Sequence, residues 1–199
     1  MEKAEKLKEL HEKWQKECKC ALKDTGVRAV FGDGNPESEI IFIGEAPGKK
    51  EDELGIPFVG SAGKFLNEML ENIGVERKDI YITNIVKYRP PGNRDPEPEE
   101  KSDCREWLIE EINFINPKLL IFLGRHSMND FFPLEKISNV HGKLLKKKFK
   151  NISCEYFLPL YHPASALYDG SMREVLMTDF QKIPKVLEKI DTGITTYVK

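Results

Sequence analysis

Gly44-Glu45-Ala46-Pro47-Gly48-Lys49-Lys50-Glu51-Asp52, running on to Gly55-Ile56-Pro57-Phe58-Val59-Gly60-Ser61-Ala62-Gly63, is the stretch whose reading decides the fold. Ahead of it stands Ile40-Ile41-Phe42-Ile43, an unbroken apolar run of strand length. Behind it, residues 64–70 carry apolar side chains at helical spacing. Glu45 and Glu51 are therefore expected in a Gly/Pro-rich loop between the C-terminal end of a strand and the start of a helix, which is where open α/β sheets bind ligands. Glycines let a backbone approach a ligand closely, and a helix N-terminus favours negative charge. Taken alone, the loop is equally a glycine-rich turn bearing solvated acids.

Outward from this loop, strand and helix patterns alternate. Residues 2–16 read as an amphipathic helix with Leu7, Leu10 and Trp14 inward, ended by Cys18-Lys19-Cys20. Residues 29–38 are a turn-bearing connection to the strand at 40–43. A helix over 63–73 stops at Gly74, and a strand at 80–83 releases Asn84. The loop from Arg89 to Pro98 holds too many prolines for helix or central strand. A long helix from 98 to 116 turns Trp107, Leu108, Ile112 and Ile115 inward. A third strand spans 119–123, followed by a short helix opening at Gly124. The basic segment 143–150 reads as a strand or hairpin edge, and 155–160 as the fourth strand. A final helix covers 172–190, followed by a polar tail. Such alternation calls for a parallel sheet covered on both faces.

The 199 residues suit one domain, 1–199, with a real core. Hydrophobic residues at 40% against 32% charged exclude a disordered chain. A net charge of −2 means that any nucleic-acid affinity must come from local basic clusters rather than from the whole surface. No apolar run approaches membrane-spanning length and the N-terminus is not a signal peptide, so a soluble cytoplasmic protein is expected. Four cysteines in such a chain point to metal binding or buried thiols rather than to disulfides.

Two later segments narrow the reading: Thr83-Asn84-Ile85-Val86-Lys87-Tyr88-Arg89-Pro90-Pro91-Gly92-Asn93-Arg94-Asp95-Pro96, and His162-Pro163-Ala164. In the order G-E-A-P-G-x-x-E-D, G-x-P-F-V-G-x-A-G, T-N-x-x-K-x-R-P-P-x-N-R-x-P and H-P-A, the chain resembles the family-four uracil-DNA glycosylases from about residue 18 to 180. The resemblance implies a three-layer α/β/α sandwich around a four-stranded parallel sheet. It also implies a monofunctional enzyme that flips uracil out of DNA and hydrolyses its N-glycosidic bond, leaving an abasic site for base excision repair.

Gly44 and Ala46 would line the substrate pocket and Phe58 would stack on the base, although a core phenylalanine beneath a loop is the plainer reading. Asn84 carries a donor and an acceptor that match uracil O4 and N3–H; a turn-capping Asn is the alternative. His162 would donate to uracil O2 as negative charge builds there, whereas a lone His before Pro is more often structural. Ala46 occupies the slot of the water-activating Asp in family-one enzymes. One of Glu45 and Glu51 could orient the water or stabilise the sugar cation while the other shapes the pocket near uracil C5, unless the dissociative reaction needs no strong base; Glu45 is favoured because it leaves the strand directly. Lys87, Arg89 and Arg94 are expected to hold phosphates. Leu167 or Tyr168 would fill the gap left by the flipped base, and Lys146, Lys147, Lys148 and Lys150 add charge or form a solvated face. His11, His126 and His141 are read as surface or capping residues. Uracil-containing DNA is the expected partner, and a monomer the expected state.

The family carries a [4Fe–4S] cluster on four cysteines, two of them as C-x-x-C. Here Cys18 and Cys20 have one residue between them, Tyr88 stands in the third slot, and only Cys104 matches. No cofactor is needed for the chemistry, and the cluster is expected to be absent or altered. Zinc on Cys18, Cys20, Cys104 and His11 fits no standard spacing. The rival functions are a non-catalytic or suicide binder of uracil-DNA and a glycosylase for hypoxanthine or xanthine. A small-molecule α/β hydrolase would need a G-x-S-x-G elbow that the chain lacks.

Overall fold

Ile40, Ile41, Phe42 and Ile43 can all be apolar because the strand they form is covered on both faces. The computed structural model describes residues 3–193, so the polar tail at 194–199 lies outside the described residues. Its strands are β1 (Asp33–Gly34), β2 (Ile40–Gly44), β3 (Tyr81–Asn84), β4 (Leu119–Leu123), β5 (Leu145–Lys146) and β6 (Tyr156–Leu160). They form one sheet in the order β1-β3-β2-β4-β6-β5. The four central strands are parallel, as expected. Two-residue strands pair antiparallel at each edge, β1 on β3 and β5 on β6, so the expected four strands become six among the described residues. Segments that short carry no hydrophobic period to read, and short edges resist pairing with other chains.

The helices are α1 (Lys3–Glu17), α2 (Lys49–Leu54), α3 (Ser61–Asn72), α4 (Pro98–Ile115), α5 (Arg125–Phe131), α6 (Ile137–Val140), α7 (Ser165–Tyr168), α8 (Gly170–Phe180) and α9 (Ile183–Thr192). Alternate residues of each strand enter opposite layers. Ile41, Ile43, Leu120 and Phe122 pack with α1, α4 and α5, while Ile40, Phe42, Leu119 and Ile121 pack with α3, α8 and α9. The single helix expected over 172–190 is two, broken at Gln181 and Lys182, with Pro184 in the first turn of α9 where its missing N–H costs nothing. Glu51 and Asp52 lie in α2 rather than in a loop.

Between α1, β3 and α4 lies a buried polar hub. Both side chains of the Lys87–Glu111 ion pair are fully inaccessible, with Nζ and Oε2 2.9 Å apart. Oε2 of Glu111 also accepts from Thr83 Oγ1 (3.0 Å), and Oε1 accepts from Tyr81 Oη (2.8 Å) and faces His11 Nε2 at 2.9 Å. Lys87 donates in addition to Thr83 Oγ1 and to the backbone carbonyl of Asn84 (2.9 Å), with its ammonium 4.4 Å from the centre of the Trp14 ring. Burial drives Glu111 towards its neutral form, but Lys87 and His11 outweigh it and hold the carboxyl below the usual range. The expected role of Lys87 on DNA is therefore corrected: it points inward and holds β3, because the two positions before it, Ile85 and Val86, are buried as well. His11 is likewise part of this hub rather than a surface residue, and it stacks on Phe31 at 4.5 Å.

Removing one partner of such a pair leaves an uncompensated buried charge, which costs about 3–5 kcal/mol. Lys87→Met should lower the urea midpoint accordingly, and the double variant Lys87→Met, Glu111→Leu should recover part of the loss. A Lys87→Met protein as stable as the parent would show that the hub does not carry the fold.

Candidate active site

The loops leaving the C-terminal ends of β2, β3 and β6 converge on one edge of the sheet and enclose a cleft of ≈ 480 Å³. Glu45, Ala46, Glu51, Phe58, Asn84 and His162 all line it, together with Arg94, Asp95 and Tyr168. The order β3-β2-β4-β6 reverses direction at β2 and β4, so the cleft sits where open α/β sheets place their ligands.

Phe58 is held by its backbone. Its φ of +53° is rare for a residue with a side chain. A Cβ on Gly63 would stand 1.8 Å from the Phe58 carbonyl oxygen, so only glycine allows α3 to start this close. Glu51 Oε1 accepts from the backbone N–H groups of Val59 (3.0 Å) and Gly60 (2.8 Å), and Arg77 donates to the carbonyls of Pro57 and Phe58. Glu51 thus organises the Phe58 loop. Arg77 was missed from sequence, where a lone cation after a helix carries no signal. The Phe58 ring lies 5.6 Å from the His162 ring, tilted 31°. Gly44 brings this ring and Asn84 together: a Cβ there would be 2.3 Å from Asn84 Oδ1 and 2.6 Å from the Phe58 ring.

Asn84 is 2% exposed, and its Oδ1 has no hydrogen-bond partner among the described residues. A buried acceptor left open costs free energy unless a ligand completes it. His162 shows the complementary feature. Its Nδ1 accepts from the Ala164 N–H at 3.1 Å, which puts the ring proton of the neutral form on Nε2. Burial, helped by His126, pushes its pKa down to about 4, so the ring is a neutral Nε2–H donor at pH 7.

Glu45 is the carboxylate with spare capacity. Its Oε1 is buried without a hydrogen bond among the described residues. Burial, then the Asp95 carboxylate, push its pKa up to about 7 against the opposing pull of Lys101 and Arg125. His126, expected at the surface, stands in the site: Nδ1 is 3.5 Å from Glu45 Oε1 and Nε2 is 3.2 Å from Asp95 Oδ2. His141 is also no free surface group, since its Nδ1 lies 2.6 Å from buried Asp179.

A profile of the Uracil DNA glycosylase superfamily matches residues 31–188. The chain belongs to that superfamily. It is 46% identical over 83% of its length to a Type-4 uracil-DNA glycosylase of Sulfurisphaera tokodaii, of which it covers 77%. To the Type-4 uracil-DNA glycosylase of Archaeoglobus fulgidus it is 43% identical over 90% of its length and 92% of that protein. The one of Thermotoga maritima is 36% identical over 93% of this chain and 97% of that protein.

At the rim of this glycosylase-family cleft, Tyr168 is 91% exposed and Leu167 is 49% exposed, both on α7 just past His162. Arg94 forms a two-pronged pair with Glu100, and Arg89 donates to Asn93 Oδ1 at 2.7 Å. Lys146 and Lys148 approach Glu155, Lys147 lies over Phe132 and Phe149, and none of the lysine run lines the cleft.

The residues in the family's cluster positions do converge. Cys104 lies close enough to Cys18 and Cys20 to lower the pKa of both, and the Tyr88 phenol lies close enough for all three thiols to act on its charge. Cys18 and Cys20 also donate to the carbonyls of Asp103 (3.7 Å) and Glu100 (3.6 Å). These side chains do not fit a [4Fe–4S] cluster as they stand. Four thiolates normally hold such a cluster, and here the fourth corner is a phenol. Burial, then Cys18, push that phenol up to about 12, and its buried hydroxyl has no hydrogen-bond partner among the described residues. His11 is bound to Glu111 and is not available as a zinc ligand. Cys154 donates to Lys118 and Tyr156 carbonyls elsewhere in the fold.

The His162 geometry has a direct spectroscopic consequence. Nitrogen NMR of the imidazole at pH 6 should show a neutral ring with the proton on Nε2, titrating only near pH 4. A pKa near the ordinary histidine value, or the proton on Nδ1, would contradict this arrangement.

Proposed function

We propose that this chain is a monofunctional uracil-DNA glycosylase that hydrolyses the N-glycosidic bond of deoxyuridine in DNA. The observation that carries the reading is the buried Asn84 amide with an open Oδ1, facing the cleft that also holds the Phe58 ring and the Nε2–H of His162. Uracil flipped into this space stacks on Phe58, gives its N3–H to Asn84 Oδ1 and accepts at O4 from the same amide. As the C1′–N1 bond breaks, positive charge grows on the sugar and negative charge on uracil. The His162 Nε2–H meets that negative charge at O2, and a neutral donor suffices. Glu45, ionised in about half of the molecules near pH 7, orients a water towards C1′ and takes its proton. Uracil leaves as the anion and an abasic site remains.

Glu51 shapes the loop and is not the base, since Val59 and Gly60 occupy its Oε1. Arg94, Arg89, Leu167 and Tyr168 hold the DNA rim, with Tyr168 or Leu167 as the wedge. The chemistry runs without a cofactor, and the three thiols and phenol are a degraded cluster site. The chain is taken to act as a cytoplasmic monomer; among the described residues no helix is long and apolar enough to cross a membrane.

Uracil should be released from oligonucleotides in excess chelator, and the purified protein should be colourless. Dependence on added magnesium would sink the metal-free mechanism, and about four irons per chain after anaerobic purification would overturn the degraded site. Faster release of hypoxanthine than of uracil would overturn the substrate assignment.

Two substitutions test the site. His162→Ala should lose roughly a hundred-fold or more in rate with little loss of uracil-DNA binding. Asn84→Asp should lose most activity on uracil and gain detectable activity on cytosine, because a carboxylate accepts from cytosine N4 but cannot donate to uracil O4. Unchanged uracil excision by Asn84→Asp would reduce Asn84 to a turn residue.

A further inference from the structure

His126 follows Gly124 and Arg125 at the end of β4, a strand to which no site role was attached from sequence. Its ring stands between two carboxylates: the Glu45, Asp95 and His126 ligating atoms all lie within 4.8 Å of one another. Arg125 Nε donates to His126 Nε2 at 3.0 Å, closer than Asp95 at 3.2 Å. A guanidinium can only donate, so Nε2 of the neutral ring is an acceptor and the proton belongs on Nδ1. Nδ1 is the atom that faces Glu45 Oε1, the buried oxygen without a hydrogen bond, at 3.5 Å. That separation is longer than a formed hydrogen bond, and catalytic hydrogen bonds commonly shorten only when substrate closes the site.

We propose that His126 is a positioning residue for Glu45: its Nδ1–H, fixed by Arg125, closes onto Oε1 in the substrate complex, orients the carboxylate and favours its ionised form, leaving Oε2 for the attacking water. The inference rests on the reading of Glu45 as the water-orienting base. Besides His126, the charged groups that act on Glu45 are Asp95, which disfavours its ionisation, and Lys101 and Arg125, which favour it. Burial, assisted by Arg125 and Lys101 against Asp95, lowers the pKa of His126 below the ordinary histidine value, so its ring is predominantly neutral at pH 7 and above. It therefore contributes a hydrogen bond rather than a positive charge. A hydrogen bond to the charged form of a carboxyl group lowers its pKa, so losing it must raise the pH at which Glu45 becomes active.

The test is the pH profile of single-turnover uracil excision in excess chelator. The parent should show an acid limb near pH 7, where Glu45 titrates. In His126→Ala the limb should move up by about one pH unit. The rate should then fall about tenfold at pH 6 and stay close to the parent at pH 9. His126→Asn places an amide N–H where Nδ1–H stood and should restore most of the limb. His126→Gln, whose amide reaches the Nε2 position, should not. If His126→Ala does not fold, the Asn and Gln variants are compared instead.

A uniform loss at every pH in His126→Ala, or equal limbs in the Asn and Gln variants, would overturn the inference while leaving Glu45 in place. Glu45→Gln separates the two ideas. Its inactivity supports the base, and parental activity in that variant would overturn both the base and the role of His126. In the Glu45→Gln background, adding His126→Ala should change nothing further, and an additional loss there would show that His126 acts through another group.

Discussion

The buried pair Lys87–Glu111 is the interaction on which the rest of the structure depends. Two ions out of water at 2.9 Å are tolerable only when their remaining donors and acceptors are filled. Here Tyr81, Thr83, His11 and the Asn84 carbonyl fill them. Those partners come from α1 and β3 while Glu111 itself stands on α4, so satisfying the pair also sets α1 and α4 against β3. Lys87 reaches back to the carbonyl of Asn84, and so the chain leaving the strand is tied down at the residue whose amide faces the cleft. The site inherits its rigidity from a hub that never touches solvent.

The cleft itself is assembled from close approaches. Gly44 and Gly63 remove the side chains that would keep Phe58 from lying over the end of β2, and Glu51 and Arg77 bind the backbone that presents it. Asn84 then offers an acceptor without a donor among the described residues, and His162 offers the Nε2–H of its neutral ring. Two carboxylates that look equivalent in sequence are separated by their surroundings. Glu51 is saturated by amides, while Glu45 keeps a bare oxygen and a raised pKa.

Apart from the catalytic cleft, three buried thiols gather beside Tyr88. Cys18, Cys20 and Cys104 are buried, and Cys18 and Cys20 donate to the Asp103 and Glu100 carbonyls of α4. They now act as small apolar groups and weak donors in the layer between α1 and α4. Tyr88 is buried beside them, and burial keeps its phenol protonated.

The sequence by itself determined the four parallel strands, since apolar runs bounded by turns admit only a sheet covered on both faces. It also determined which loops meet, because Glu45, Asn84 and His162 each follow the C-terminal end of one of those strands. The tertiary structure alone decided what each side chain does there. Lys87 looks like a phosphate contact until Glu111, 24 residues away, is seen beneath it. His126 looks like a surface residue until the return of β4 beside β2 brings it to Glu45. Burial and pairing arise from contacts between distant segments, and no local pattern of residue types records them.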